Sequence, residues 1–280
     1  MYLGKFGGES CFISQRASNQ SVCLTGISGG GKTCRLQRIE LEAVKSGDTV
    51  IVLDIHRTHS KEQIFSEIRE EYVGFVNRIH ALEDGLNLGF FEPMKNGDGK
   101  EESFVNLVSA AVQTFSEGQH FGPRQIEALR EAVIRLIERG SCHGNEAEAL
   151  SDILLKQKTP SAKAVYGRLW PLLNCGALRS GEKYIQKGAI NIFDFGDLSE
   201  MLQRTLAELV LCWLWRRMVY GEITKERGGR CLVLDEFQNF SLKPGAPLLS
   251  LLKEGRKFGV NLVLATQTLS VFPKEILAVV

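Results

Sequence analysis

Between Gly26 and Thr33 the chain reads Gly-Ile-Ser-Gly-Gly-Gly-Lys-Thr, a G-x-x-x-x-G-K-[ST] spacing. Bare backbone at Gly26, Gly29, Gly30 and Gly31 lets successive N–H groups turn inward around an anion with no Cβ in the way. A helix beginning near Lys32 would aim the positive end of its dipole at the same anion. Lys32 can reach the β- and γ-phosphates of a nucleoside triphosphate, and the Thr33 hydroxyl can sit on Mg²⁺. With Ser28 and Cys34, these residues form the expected nucleotide-binding set.

A phosphate loop alone does not choose among kinases, switches and motors. The second acidic feature does. Arg230-Cys-Leu-Val-Leu-Asp235-Glu236 is an apolar run ending in two adjacent carboxylates. Asp235 suits a role in holding Mg²⁺ through water, and Glu236 suits that of general base for an attacking water. The pair favours hydrolysis over transfer to a small molecule. Gln267 follows the apolar run Asn261-Leu-Val-Leu-Ala-Thr266, where parallel-sheet sites open, and can hydrogen-bond the γ-phosphate or the water. Arg256 precedes that run and can reach a neighbouring subunit's site as an arginine finger. Lys257 and Arg230 are rivals for that role.

These residues need elements to carry them. Val22–Gly26, Thr49–Ile55, Asn191–Phe195, Arg230–Asp235 and Val260–Thr266 are short, β-branched and bounded by turns, and Val73–Ala81 is a weaker strand. Near-continuous apolarity is the pattern of strands buried on both faces. Helical periodicity occupies Thr33–Ser46, Glu102–Phe115, Pro123–Arg139 and Ser199–Tyr220. The alternation predicts an α/β fold with a mostly parallel sheet. About residues 87–187 show much helix and little strand, so a helical insertion between core strands is expected. The whole, 1–280, reads as one domain with its core at about 1–86 and 188–280.

Composition narrows the classes further. The chain has 280 residues, 44% of them hydrophobic and 24% charged, which excludes a disordered or low-complexity protein. Thirty-four basic against 33 acidic residues give a net charge of +1, so any polyanion site is local. The 7 cysteines have no CxxC pair and no metal-ligand spacing, an arrangement that fits a reducing compartment. The greasiest run, Leu206–Trp215, contains Glu208 and meets Arg216 and Arg217 at once. It is too short for a bilayer span of roughly 20 residues and reads as a buried amphipathic helix. A cytoplasmic protein without a transmembrane segment is the expectation.

The set GISGGGKT, CLVLDEF, EGRKFGV and LVLATQT, in that order, resembles the HerA–FtsK superfamily of P-loop motor ATPases, closest to its HerA-like and type IV secretion branches. The resemblance implies a RecA-like P-loop core that hydrolyses ATP with Mg²⁺ between the subunits of a homo-hexameric ring. It implies movement of double-stranded DNA through a central channel by a helicase or translocase, with a nuclease or a secretion system as partner. Asp54, at the end of Val-Leu-Asp54-Ile-His56-Arg, is similar to a family acid near the catalytic centre and is a secondary candidate. His56 and His59 read as loop residues. Asn96–Lys100 and Phe240–Gly245 are loops that could face DNA, though each reads first as a solvated turn.

Two departures from the family stand out. The phosphate loop begins about two dozen residues in, where family members usually carry an accessory region first, and the chain stops at Val280 where they continue into another strand. Two rival readings follow: a secretion ATPase acting on protein or pilus assembly, and a truncated nucleotide-binding subunit with little turnover.

Overall fold

β-Branched and leucine-rich runs become strands wherever a turn residue bounds them. The computed structural model describes residues 2–6, 9–12, 21–86, 88–95, 99–116, 119–140, 146–179, 184–220 and 229–267. The main sheet contains β3 (Val22–Thr25), β4 (Thr49–Asp54), β5 (Val76–His80), β6 (Ile190–Asp194), β7 (Arg230–Leu234) and β8 (Val260–Thr266). It is all parallel, in the order β3-β8-β7-β4-β6-β5. Upstream, β1 (Tyr2–Phe6) and β2 (Glu9–Phe12) pair antiparallel as a separate ribbon. Burial follows sheet position: β4 and β7 are buried along nearly their whole length, whereas β3 and β5, with one neighbour each among the described residues, are only partly covered.

The chain divides into two compact units. The sheet unit comprises Met1–Ile79, Ile185–Asp194 and Lys225–Val280. Its core is the apolar face of α1 (Lys32–Lys45) laid on the sheet: Leu36, Ile39 and Val44 pack with Val50, Val52, Ile190, Ile192, Val233 and Val263. Each such side chain contributes about 1.5–3 kcal/mol by leaving water. Asn191 is a polar side chain inside β6 with no solvent exposure. Its amide donates to Val50 O, Gln186 O and Ala189 O and accepts from Asn77 and Gln186 N. That full set of partners is what makes a buried amide tolerable, and it pins β6 in register with β4 and β5.

The helical unit comprises His80–Tyr184 and Phe195–Thr224. It holds α3 (Phe104–Ser116), α4 (Pro123–Glu138), α5 (Glu146–Lys156), α6 (Pro160–Asn174) and α7 (Glu200–Val219); the short α2 (Arg69–Val73) belongs to the sheet unit. α6 starts with Thr159 accepting from Ala162 N and with Pro160 at its first turn, a standard cap. The apolar run Leu206–Trp215 lies in α7. It is not amphipathic there: residues around most of its circumference are buried, as in a helix at the centre of a bundle. Arg216, 5% exposed, donates to Phe90 O and Glu92 O and pairs with Glu102, so its charge is compensated inside the unit. Trp213 is buried, and Arg217 lies over its ring, which is a packing role. Among the described residues no helix is long and apolar enough to cross a membrane.

Candidate functional site

The carboxyl ends of β3, β4, β7 and β8 share one edge of the sheet. The register sets Thr25 beside Thr266, and Leu234 beside Leu264. Val52 beside Val233 puts Asp54 one strand over from Asp235. Glycine freedom shapes the first segment off this edge. Gly29 (φ 74°) and Gly31 (φ 79°) are left-handed, a backbone that side chains other than glycine rarely adopt. α1 then starts without a side-chain cap, so the N–H groups of its first turn are available to an anion. The Lys32 ammonium folds back over the loop, donating to Gly26 O (2.9 Å) and Ile27 O (3.2 Å), which leaves a third donor for another acceptor.

Thr33 meets Asp235 across the sheet edge. The Thr33 hydroxyl donates to Asp235 Oδ2 at 3.3 Å, between residues 202 apart in sequence. Burial and the neighbouring Glu236 charge raise the Asp235 carboxyl above its ordinary range, a strain that a cation beside it would relieve. Glu236 has left-handed backbone (φ 50°, ψ 50°), uncommon for a residue with a Cβ and of a kind found at functional sites. Its two oxygens are held separately: Gln267 Nε2 donates to Oε1 at 2.9 Å, and Gln238 Nε2 donates to Oε2. Among the described residues, the buried side-chain carbonyl oxygen of Gln238 has no hydrogen-bond partner. The structure therefore brings Lys32, Thr33, Asp235, Glu236 and Gln267 to one edge and adds Gln238. The only sequence signal for Gln238 was its place two residues after Glu236.

Asp54 reaches the same edge, but its oxygens are engaged. Oδ1 accepts from Thr58 N (2.8 Å) and the Thr58 hydroxyl (3.3 Å), and Oδ2 accepts from His59 N (3.1 Å). Burial alone would raise its carboxyl; the hydrogen bonds and charge of His59 outweigh that and hold it low. His59, 1% exposed, is more than a loop residue. Its Nε2 lies 3.0 Å from Glu40 Oε1, its Nδ1 lies 3.6 Å from Asp54, and the Tyr72 hydroxyl donates to the same Glu40. Burial would lower the His59 ring, but Glu40 and Asp54 overcome this and push it up to about 10. This network ties α1 to the segment after β4. His56 reaches Asn239 at 3.4 Å, just past Glu236.

Arg256 is elsewhere. It is exposed, in the short turn of helix ahead of β8, where its carbonyl accepts from Gly259 N, and its side chain makes no hydrogen bond or ion pair among the described residues. Arg230 sits level with Val260 at that same end, and Lys257 pairs with Glu254. The seven residues of β8 separate this end from Gln267 by roughly 20 Å. Arg256 therefore cannot serve its own chain's phosphate loop. Of the loops considered for DNA, Phe240–Gly245 exposes Lys243, while Asn96–Asp98 lie outside the described residues. So does the chain beyond Gln267, including Thr268. Among the described residues no cluster of His, Cys, Asp and Glu could by itself enclose a metal ion.

No protein-family model matches the sequence, and no curated protein is detectably similar to it. Solved structures are similar in fold. VirB4 of Thermoanaerobacter pseudethanolicus superposes with a TM-score of 0.68 at 16% identity, covering 100% of this chain and 80% of that one. The bacterial conjugative coupling protein TrwBΔN70 gives 0.63 at 15% identity, covering 94% of this chain and 65% of that one. The plasmid coupling protein TrwB in complex with a non-hydrolysable ATP analogue gives 0.61 at 14% identity, covering 90% and 64%; TrwB has also been solved with a GTP analogue and with ADP and Mg²⁺. At these identities the likeness is one of fold: the chain has the RecA-like P-loop fold of VirB4 and TrwB, as the HerA–FtsK resemblance implied.

Proposed function

We propose that this chain is a Mg²⁺-dependent ATPase whose hydrolysis drives DNA translocation, in DNA processing or conjugative transfer. In this reading the two units act as one ATPase domain with a helical insertion, working in the cytoplasm as part of a homo-hexamer. The observation that carries it is the convergence of Thr33 and Asp235 at 3.3 Å beside a Glu236 carboxylate clasped by Gln238 and Gln267. Phosphate binding alone requires none of the last three.

The residues suit the groups this chemistry needs. Thr33 and Asp235 offer two hard oxygen donors, and Mg²⁺ is usually held by one or two protein oxygens together with water and phosphate. When bound, Mg²⁺ supplies neutralisation of charge on the β- and γ-phosphoryl oxygens. The loop from Gly26 to Cys34 receives the phosphates on backbone N–H groups, and Lys32 adds a point charge. Glu236 accepts the proton of the attacking water, while Gln267, fixed to Glu236, orients that water. Arg256 reaches the site of an adjoining subunit, where it steadies the charge that develops as the phosphoryl group departs. That TrwB is a coupling protein solved with ATP and GTP analogues and with ADP and Mg²⁺ supports the nucleotide and the transport assignments. The likeness to VirB4 across the full chain favours, as a second reading, a secretion ATPase acting on protein.

The test is ATP hydrolysis with and without double-stranded DNA, alongside a measurement of particle size. Expected are a hexamer-sized particle and turnover that rises with DNA and is lost in Glu236→Gln. A DNA-indifferent oligomer would turn the assignment toward the secretion reading. A monomer whose activity survives Glu236→Gln would remove both.

A further inference from the structure

Helix α6 breaks the rules of its own local structure, and it does so along one outward stripe. Its inner side is ordinary: Ala162, Val165, Leu169, Leu172 and Leu173 are buried in the helical unit. Its outer side displays Lys163, Ala164, Gly167, Trp170 and Asn174, all exposed. At helical spacing these five share one face over roughly 17 Å. Trp170 is 52% exposed, against the usual high burial of so large an apolar ring. Asn174 Nδ2 donates to Trp170 O at 2.9 Å and steadies the turn that carries the ring.

Two residues of this region work against the helix. Pro171 lies inside it and, having no N–H, cannot donate to the Gly167 carbonyl one turn back. Gly167 is itself the poorest helix former after proline. A glycine is required where the backbone is left-handed or where another group approaches closely. Neither holds inside this chain. Gly167 is not among the glycines of positive φ, and a Cβ added to it would meet nothing within 4 Å. Its smallness therefore serves no contact among the described residues; it leaves space on the outside, beside a carbonyl oxygen deprived of its helical donor and a flat indole.

Charge says what such a face takes. Residues 153–181 carry five Lys or Arg and no Asp or Glu, in a chain with 33 acids among 280 residues. Lys163 stands at one end of the stripe, and Arg168 flanks it, held in place by donating to Gln119 O and His120 O. The centre of the stripe, Ala164 and Gly167, is small and uncharged. A groove for a nucleic-acid backbone sets its cations along the track of the phosphates. Small residues at the centre with cations at the rim instead let a second helix lie close and pair its acids at the edges. We propose that this face of α6 docks an acidic amphipathic helix of a partner protein, with Trp170 as the anchor and Gly167 as the point of closest approach. Tryptophan is enriched among the few residues that dominate binding, and a local rule broken without internal compensation marks a functional site. The surface lies wholly within the helical unit and is independent of the nucleotide-site reading.

Fluorescence polarisation of the full chain with a labelled amphipathic peptide of about 18 residues, its polar face built from Glu, tests this. The comparisons are the same peptide with Lys for Glu, labelled oligothymidylate, and cosedimentation with phosphatidylserine vesicles. The Glu peptide should bind about tenfold tighter than the Lys peptide or better, and Trp170→Ala should weaken it roughly tenfold or more. Gly167→Leu should weaken it as much by filling the stripe, yet melt at or above wild type, because a good helix former then replaces a poor one in open space. Gly167→Ala should melt about 2–4 °C higher. Binding lost with stability kept is a result that a glycine needed by the fold does not give. A lower melting temperature for Gly167→Ala would show such a need and overturn the proposal. So would Glu-peptide affinity unchanged in Trp170→Ala, or equal affinity for the Glu and Lys peptides. Tighter binding of oligothymidylate or of vesicles, lost in Trp170→Ala, would overturn the peptide assignment in favour of nucleic acid or lipid.

Discussion

Replacing His59 by alanine should destabilise the sheet unit by about 3–5 kcal/mol, the range for removing one partner from a buried ion pair. The ring is 1% exposed and Glu40 is fully buried; its Nε2 lies 3.0 and 3.2 Å from the two Glu40 oxygens. Without it, Glu40 keeps the Tyr72 hydroxyl, a neutral donor, and Asp54 loses the charge beside it. Two carboxylates would then share a region too dry to solvate them. For a unit of this size each kcal/mol moves the melting temperature by about 2–4 °C, so the expected fall is roughly 6–20 °C. The pH dependence has a definite sign. His59 is raised from 6.5 to about 10, so its contribution is fully present below about pH 6.5 and lost as pH climbs towards 10. Asp54 is lowered from 3.8, so its contribution is present above that value and lost as pH falls through the acid range. The gap between wild type and His59→Ala should therefore be widest near pH 5–6 and narrow towards about pH 10. Thermal melts followed by circular dichroism across that range decide it, with Glu40→Leu/His59→Leu as the control. That double variant removes the charged pair together and should recover part of the loss. A fall below about 2 °C, or a gap that does not change with pH, would refute the claim that His59 is a buried cation.

Two further expectations concern turnover. Gln238→Ala frees one oxygen of Glu236 and should lower kcat roughly tenfold to a hundredfold, the cost of a misplaced catalytic group, with KM within about twofold; steady-state ATPase kinetics showing kcat unchanged would remove Gln238 as a positioning residue. Mixing Arg256→Ala subunits with Glu236→Gln subunits should restore part of the activity that each lacks alone, because some interfaces then join an intact arginine to an intact Glu236. No recovery over either variant alone would count against a shared site.

Local chemistry is legible along the chain, and what depends on packing is not. The strands were legible because burial on both faces demands uninterrupted β-branched runs, and the phosphate loop because left-handed backbone demands glycine. α7 was legible as a helix but not as a central one, since Arg216 and Arg217 suggested a polar end, whereas Arg216 is neutralised inside the unit by Glu102 and two backbone carbonyls and Arg217 lies over the Trp213 ring. The family resemblance made Asp54 a secondary candidate, whereas by itself it read as a turn acid. Only the folded chain shows its oxygens occupied by Thr58 and His59. A signal was nevertheless present: Glu40 falls on the helical stripe between Leu36 and Val44, all three buried, where a carboxylate requires a partner. The same stripe logic places the buried Gln37 one residue from Leu36, and there the amide fixes the segment that carries Phe65.

These details converge on one physical division of labour. At the carboxyl edge of the sheet, one chain assembles the phosphate loop, the Thr33–Asp235 pair, and the Glu236 carboxylate with its two glutamines. The exposed cation expected to complete the charge balance, Arg256, sits roughly 20 Å away at the other end of β8. β8 is a fully bonded inner strand between β3 and β7, so no side-chain rearrangement closes that gap. If hydrolysis needs Arg256, it must come from a second copy, and the sheet's two edges then become the two halves of one site. Turnover per chain would accordingly rise with protein concentration as copies associate, and a dilution series of the ATPase reads that directly.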